Sequence, residues 1–225
     1  MKKLNLVLIS CLLSSICIVG QGKCSKYYPF EKGTKFQLTS FDNKDKTTGI
    51  MDYLVKESSG NKATLSFEMH DDKGKLITTS EYDITCENDG ISIDFNSLLA
   101  PGMLEQYKDM EVDISGTNLI LPNNLNSGQN LPDANLLMNV KMTPISMKMT
   151  VNIMNRKVDG KETVTTSAGT FDCFVISYDH ESKMGIKIRG SAKQWYSENV
   201  GMVKQENFNK KGKLMGSTLL TKFEK

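Results

Sequence analysis

Thr166–Tyr178 reads TSAGTFDCFVISY, and how this stretch is read decides the fold. The small residues Ser167, Ala168 and Gly169 form a turn that releases into Phe171, Cys173, Phe174, Val175, Ile176 and Tyr178. A strand carries apolar side chains on both parities when both of its faces are covered. The stretch is therefore expected to be the central strand of the fold. It holds no recognisable catalytic grouping, so what it says concerns architecture.

Outward from it the chain alternates. Lys62–His70 sets Ala63, Leu65, Phe67 and Met69 against Thr64, Ser66, Glu68 and His70. Thr78–Cys86 sets Tyr82, Ile84 and Cys86 against Glu81, Asp83 and Thr85, and Asn88-Asp89-Gly90 turns into Ile91, Ile93 and Phe95. Lys35–Phe41 and Gly49–Lys56 read as the strands before these. Downstream, Leu136, Met138, Val140 and Met142 share a face, as do Ile145, Met147, Met149, Val151 and Ile153, with Pro144 between the two runs. Val158–Thr166, Ile186 with Ile188, Lys193–Tyr196, Met202–Phe208 and Ser217–Phe223 complete the series. Half-buried strands joined by tight turns predict an antiparallel meander. Asn96–Met110 is the one expected helix, with Met103, Leu104 and Tyr107 on one side. Met110–Ile114 and Asn118–Leu121 are expected to form a short hairpin, and Pro122–Asp133, rich in Asn, Gly and Pro, a surface loop. The class is all-β with one short helix.

One layout recurs: FDNKDKTTG (Phe41–Gly49), HDDKGKLIT (His70–Thr78) and FNKKGKLMG (Phe208–Gly216). Each has an acid or amide, then two lysines around Asp or Gly, then a return into a strand. Asp, Asn and Gly accept turn dihedrals, and lysines keep a hairpin tip hydrated. Solvated hairpin tips are the plain reading; contact with an anionic surface is the functional one.

The start of the chain reads as an export signal. Lys2 and Lys3 precede the apolar run Leu4–Val19, and Gly20-Gln21-Gly22 offers small residues for cleavage. The expected division is a signal peptide over 1–22 and a single β-rich domain over 23–225, periplasmic or secreted. Leu8-Ile9-Ser10-Cys11 resembles a lipoprotein box, but cleavage there would leave the apolar Leu12–Val19 on the mature start, so soluble export is favoured over a lipid anchor at Cys11. No second apolar run follows, so no transmembrane span is expected. Losing Lys2 and Lys3 brings the 28 basic residues level with the 26 acidic ones. A neutral chain with dispersed lysines has no electrostatic footprint for nucleic acid.

Cys24, Cys86 and Cys173 remain after cleavage, an odd number in an oxidising compartment. A Cys24–Cys86 bridge would be worth roughly 4 kcal/mol, and a Cys86–Cys173 bridge barely more, so magnitude does not choose. Cys173 sits mid-strand among aromatics, where a thiol packs as a small apolar group. Cys24 lies on a chain end with little else to hold it, so Cys24–Cys86 is favoured.

Thirteen methionines are the compositional oddity. Thioethers can bind Cu(I), but Met147 and Met149 alternate with Lys148 and Thr150 as inward-facing residues do, and no histidine is close. Core packing is expected, with no metal and no cofactor. Cys173 and His180, the one nucleophile–base pair that can be named, fall on opposite parities of one strand. No GxSxG, HExxH, CxxC or phosphate-loop spacing occurs. No catalytic residue is assigned, and a hydrolase is the least favoured reading.

YYPFEKGTKFQLTSFD, TTSAGTFDCFVISY, the Trp195–Met202 region and KKGKLMGSTLLTKF together resemble the TapB-like secreted proteins of Bacteroidetes, distantly similar to envelope domains with a lipoprotein-localisation-like half-barrel. The resemblance spans nearly the whole mature chain, and AGTFDC is its sharpest part. It implies a curved antiparallel meander sheet, a half-barrel or partly closed barrel around an apolar concavity, with the helix near its mouth. On that basis Met138, Met142, Met147, Met149 and Trp195 are the candidate lining of a concave face that binds a lipid or acylated peptide. The alternative is a structural or partner-binding envelope module with a solid core.

Overall fold

The computed structural model describes residues 24–87, 89–94, 111–142 and 145–225. The expected export segment and the expected helix over Asn96–Met110 lie outside them. The described residues form thirteen strands: β1 (Lys35–Asp42), β2 (Thr47–Ser59), β3 (Lys62–His70), β4 (Leu76–Glu87), β5 (Gly90–Ile93), β6 (Glu111–Thr117), β7 (Leu119–Pro122), β8 (Ala134–Met142), β9 (Ile145–Thr166), β10 (Gly169–Met184), β11 (Ile186–Ser197), β12 (Gly201–Asn209) and β13 (Leu214–Glu224).

They make one sheet in the order β6-β8-β9-β10-β11-β12-β13-β1-β2-β3-β4-β5-β7. Two antiparallel meanders, β1 to β5 and β8 to β13, become continuous because the first and last strands pair, from Lys35 opposite Glu224 to Asp42 opposite Gly216. The edge strands β6 and β7 are separated in the chain by Asn118 alone. The sheet therefore has to roll until its edges meet, giving a nearly closed barrel with one unsealed seam.

The expected hairpin between Met110–Ile114 and Asn118–Leu121 does not form. Instead β6 pairs with β8, Ile114 opposite Met138, and β7 pairs with β5, Leu121 opposite Ile91. A two-stranded ribbon is marginal by itself. Splitting the two strands lets each complete a different apolar surface.

The opening stretch forms the first part of β10, paired along both sides, with β9 and β11. Cys173, Val175 and Ile176 are all buried. Consecutive strand residues point to opposite faces, so both faces are covered there. Val175 lies opposite Trp195, while Phe174 meets the Tyr27 ring edge-on at 5.9 Å. β9 is one long strand where the sequence suggested two. The break falls at Asn155, which takes φ 55° beside a register shift, so the strand bends without ending.

One face of β1 to β4 carries Phe36, Tyr53, Phe67 and Tyr82, with successive ring centroids 4.5, 5.6 and 6.4 Å apart. Val55, Leu65 and Ile84 beside them are fully buried, each worth about 1.5–3 kcal/mol of apolar burial. These residues and the buried part of β10 belong to the main core. A second cluster on β6, β8 and β9 holds Leu136, Met138, Val140 and Met149, flanked by Val112, Ile114, Met147 and Val151.

The two ends of the barrel are built differently. At one end the segment Cys24–Phe30 lies across the strand ends. The Lys26 amide donates to Asn123 Oδ1 (2.8 Å), Asn123 Nδ2 donates to the Cys24 carbonyl (3.1 Å), and the Asn199 amide donates to the Lys26 carbonyl (2.6 Å). The Tyr28 and Tyr82 hydroxyls meet at 2.5 Å. Hairpin turns make the other end.

Residues 123–133 are more than the expected surface loop. The Val158 amide donates to Gln129 O and the Leu131 amide to Arg156 O, both at 2.8 Å. Leu125 and Leu131 are buried, so the segment acts as a substitute strand along β9 and narrows the seam.

Candidate functional site

Among the described residues, four hairpin turns follow one another around the open end: β10–β11, β12–β13, β1–β2 and β3–β4. Three of them, the recurring layout of the sequence, have the same bonding. Asp42 Oδ1 accepts the amides of Lys44 and Lys46 (2.8 and 2.9 Å). Asp71 Oδ1 accepts those of Lys73 and Lys75 (2.9 and 2.8 Å). Asn209 Oδ1 accepts those of Lys211 and Lys213 (2.9 and 3.1 Å). The fourth residue is left-handed each time: Asp45 (φ 60°), Gly74 (φ 80°) and Gly212 (φ 75°). The amides of Lys46 and Lys44 hold the Asp42 carboxyl below its ordinary pKa.

This bonding turns the lysine side chains outward, and Lys44, Lys46, Lys73, Lys75, Lys210, Lys211 and Lys213 are exposed. Lys46 and Asp72, from neighbouring tips, lie 3.9 Å apart. In the fourth tip Glu181 is held by Lys187 and Arg189 (both 2.7 Å), which lower its carboxyl pKa. The stretches 42–46 and 71–75 are each neutral, 181–189 carries +2 and 209–213 carries +3, so these four tips carry +5, whereas residues 23–225 taken together are neutral.

Apolar side chains share this rim. The exposed large hydrophobics among the described residues are Leu76, Ile77, Met184, Ile186, Ile188, Leu214 and Met215. Each stands within a few residues of a tip, beyond the reach of either core. Ile186, next to the Gly185 turn, is 80% exposed and Ile188 62%. The sequence signal was available: apolar residues interleaved with Lys183, Lys187 and Arg189 around a turn glycine have no core to face.

The candidate lining residues are divided between the two clusters. Met138 and Met149 are buried in the second, with Met147 beside them, whereas Trp195 is in the main core. Trp195 Nε1 donates to Glu162 Oε2 (2.8 Å), and Lys204 Nζ lies 4.6 Å from its ring. The Met142 side chain lies outside the described part of the structure. Cys24 and Cys86 are joined, with Cα atoms 5.6 Å apart, and Cys173 is buried and free.

Burial, with Asp172 and Glu162 near it, pushes the Cys173 thiol up to about 12, the wrong direction for a nucleophile. His180 sits seven residues further along β10, which is paired without a register shift to β11. The two side chains are roughly 23 Å apart along the strand and on opposite faces. The structure does not bring them together. Among the described residues no group of three or more His, Cys, Asp or Glu is placed to hold a metal ion.

Surface clefts of about 280 and 370 Å³ open beside Gln37, Asp52 and Glu68, and beside His180, Arg189 and Lys210. One residue of structural weight was not singled out in the sequence. Arg156 is 4% exposed, and its Nη1 donates to the Ile120 carbonyl of β7 (2.9 Å) and the Pro132 carbonyl (2.7 Å), reaching from β9 across the seam.

The DUF3108-like family model matches residues 31–220, so the chain belongs to that family. Two solved structures share its fold. A Bacteroides fragilis protein with a YmcC-like fold, described as exported, is 21% identical over 90% of this chain and 100% of its own, with a TM-score of 0.72. A Parabacteroides distasonis protein described as a lipoprotein is 24% identical over 89% and 99%, with a TM-score of 0.69. No curated protein matches the chain. The match is to the DUF3108-like family model and does not bear on the TapB-like resemblance of the motifs.

Proposed function

We propose that this member of the DUF3108-like family is an exported cell-envelope protein that catalyses no reaction and works from the outside of a filled barrel, through its ring of hairpin tips. The observation that carries the reading is the distribution of exposed apolar side chains. All seven described ones stand on the rim, while the barrel beneath is packed with side chains such as Val55, Leu65, Val158, Ile176, Val203 and Leu220. Export is supported by Lys2 and Lys3 before the Leu4–Val19 run, and by the descriptions of the two structural relatives as exported and as a lipoprotein.

Native mass spectrometry of protein purified from its own envelope tests the reading. The expected result is the bare mass of the processed chain. A co-purifying lipid would overturn it in favour of an apolar ligand lodged among Met138, Met142, Met147, Met149 and Trp195. The Met-rich second cluster is what favours that second reading, because methionine surfaces adapt to varied apolar occupants. A fatty-acid titration followed by Trp195 fluorescence gives an independent answer. Quenching supports a ligand, and its absence supports a filled barrel.

A further inference from the structure

We infer that the hairpin-tip ring docks on an anionic lipid bilayer surface, with Met184, Ile186, Ile188, Leu214 and Met215 entering the headgroup boundary and the tip lysines lying on the lipid phosphates. The inference rests on the reading above that the rim is the working surface, and names what it meets. Three observations carry it.

First, the apolar side chains do not form one flat patch of the kind a folded partner covers. They stand in separate groups on convex turns, at Leu76-Ile77, Met184-Gly185-Ile186 and Leu214-Met215. A fluid interface accepts separate protrusions, whereas a rigid partner needs complementary hollows for each.

Second, each group has cations beside it: Lys75 before Leu76, Lys183 and Lys187 around Met184 and Ile186, and Lys213 before Leu214. Long lysine stems let apolar neighbours sink while the ammonium stays at headgroup level.

Third, the four described tips carry +5 and residues 23–225 together are neutral, so the remainder of that span carries −5. That asymmetry turns the tips toward a negative surface and the rest of the barrel away from it. The three Asx-bonded turns are fixed by backbone amides donating to the Asp42, Asp71 and Asn209 side chains, so the ring is already shaped before it meets anything.

The test is co-sedimentation of the exported protein with vesicles of phosphatidylcholine alone, or with about one third phosphatidylglycerol, at low and high salt. Binding is expected with the anionic vesicles, weakening as salt rises. The pair Ile186→Ser/Ile188→Ser and the triple Lys210→Gln/Lys211→Gln/Lys213→Gln should each weaken it by about ten-fold or more. Lys32→Gln, in the turn before β1 at the opposite end, should leave it unchanged. Circular dichroism and melting identify any variant that fails to fold, in which case Met215→Ser replaces it.

No sedimentation, equal sedimentation with both vesicle types, or binding indifferent to the tip variants would each overturn bilayer docking. If the tip variants instead abolish recovery of one acidic envelope protein while vesicles stay unbound, the occupant is a protein. Bilayer docking then fails, and the filled-barrel reading stands. A lipid inside the barrel would strike at that reading and would leave the vesicle result untouched.

Discussion

At the scale of single residues, the most consequential side chain is Arg156. A buried guanidinium that bonds two carbonyls, Ile120 on β7 and Pro132 in the following segment, does for the seam what a missing strand pair would do. Arg156→Leu should cost roughly 3 kcal/mol, because it leaves both carbonyls short of a charged donor, and Arg156→Lys should recover only part, since the shorter side chain ends in a strongly hydrated ammonium that does not reach where Nη1 stands. Chemical denaturation checks both. The sequence did not reveal this role: NRK at 155–157 looks like any solvated run, and the carbonyls it serves are 24 and 36 residues away. Cys173 was legible, because a thiol between aromatics reads as a packed group. Its pKa and those of Tyr53 and Tyr178 are raised to about 12 by burial. A group whose folded pKa lies above its unfolded value stabilises the fold fully below the unfolded value and less as pH rises through the folded one. Stability should therefore be level from about pH 5 to about 9 and fall steadily between about 9 and 12, where unfolded thiol and phenols lose protons that folded ones keep. A melting series against pH tests this, and a fall confined to acid would contradict it. Cys173 should also resist alkylation at pH 8 until the chain is unfolded.

At the scale of elements, the tips are where sequence and structure agree in greatest detail. An Asp or Asn at the first position and Asp or Gly at the fourth specify an Asx-bonded turn with one left-handed residue, and all three copies adopt it. Asn209→Ala removes the acceptor of two amides and should cost about 1 kcal/mol in urea unfolding. The strand at Lys62–His70 has the bounds that its alternation predicted. The mistaken hairpin between β6 and β7 shows the limit of such reading. Local turn chemistry permitted it, but pairing partners were decided by apolar faces contributed from β5 and β8, distant in the chain, and no local pattern encodes that choice. The same holds for residues 123–133, whose Asn and Gly content marks a loop while Leu125 and Leu131 anchor it to the core. For the rim, each apolar residue was visible, but its exposure was not. Alternation signals a covered face only where the sheet has something to cover it with, and the tips project past both cores.

At the scale of the whole molecule, one end of the barrel is closed by Cys24–Phe30 and the other is a ring of turns. The Cys24–Cys86 closure spans 62 residues, so replacing both cysteines with alanine should lower stability by about 4 kcal/mol. Thermal unfolding with and without reductant offers the same measurement on the unaltered chain. The fold class and the order of both meanders followed from hydrophobic alternation, because sequential strands pair with their neighbours. The rolling of the sheet did not, because it depends on β1 meeting β13 and on two edges joined by one residue. That pairing of first and last strands also sets how the molecule bears load. Lys35 and Glu224 sit opposite one another, so tension between the chain ends would meet the β1–β13 hydrogen bonds one at a time, as a zip, and open them at low force. The Cys24–Cys86 link diverts that path. Tension entering at Cys24 passes directly to β4, and the whole of β1 to β3 is carried slack inside the loop. Oxidised, the protein should yield at β13 or β4; reduced, it should peel from β1. In single-molecule extension the oxidised trace should therefore fall short by the contour length of the locked loop.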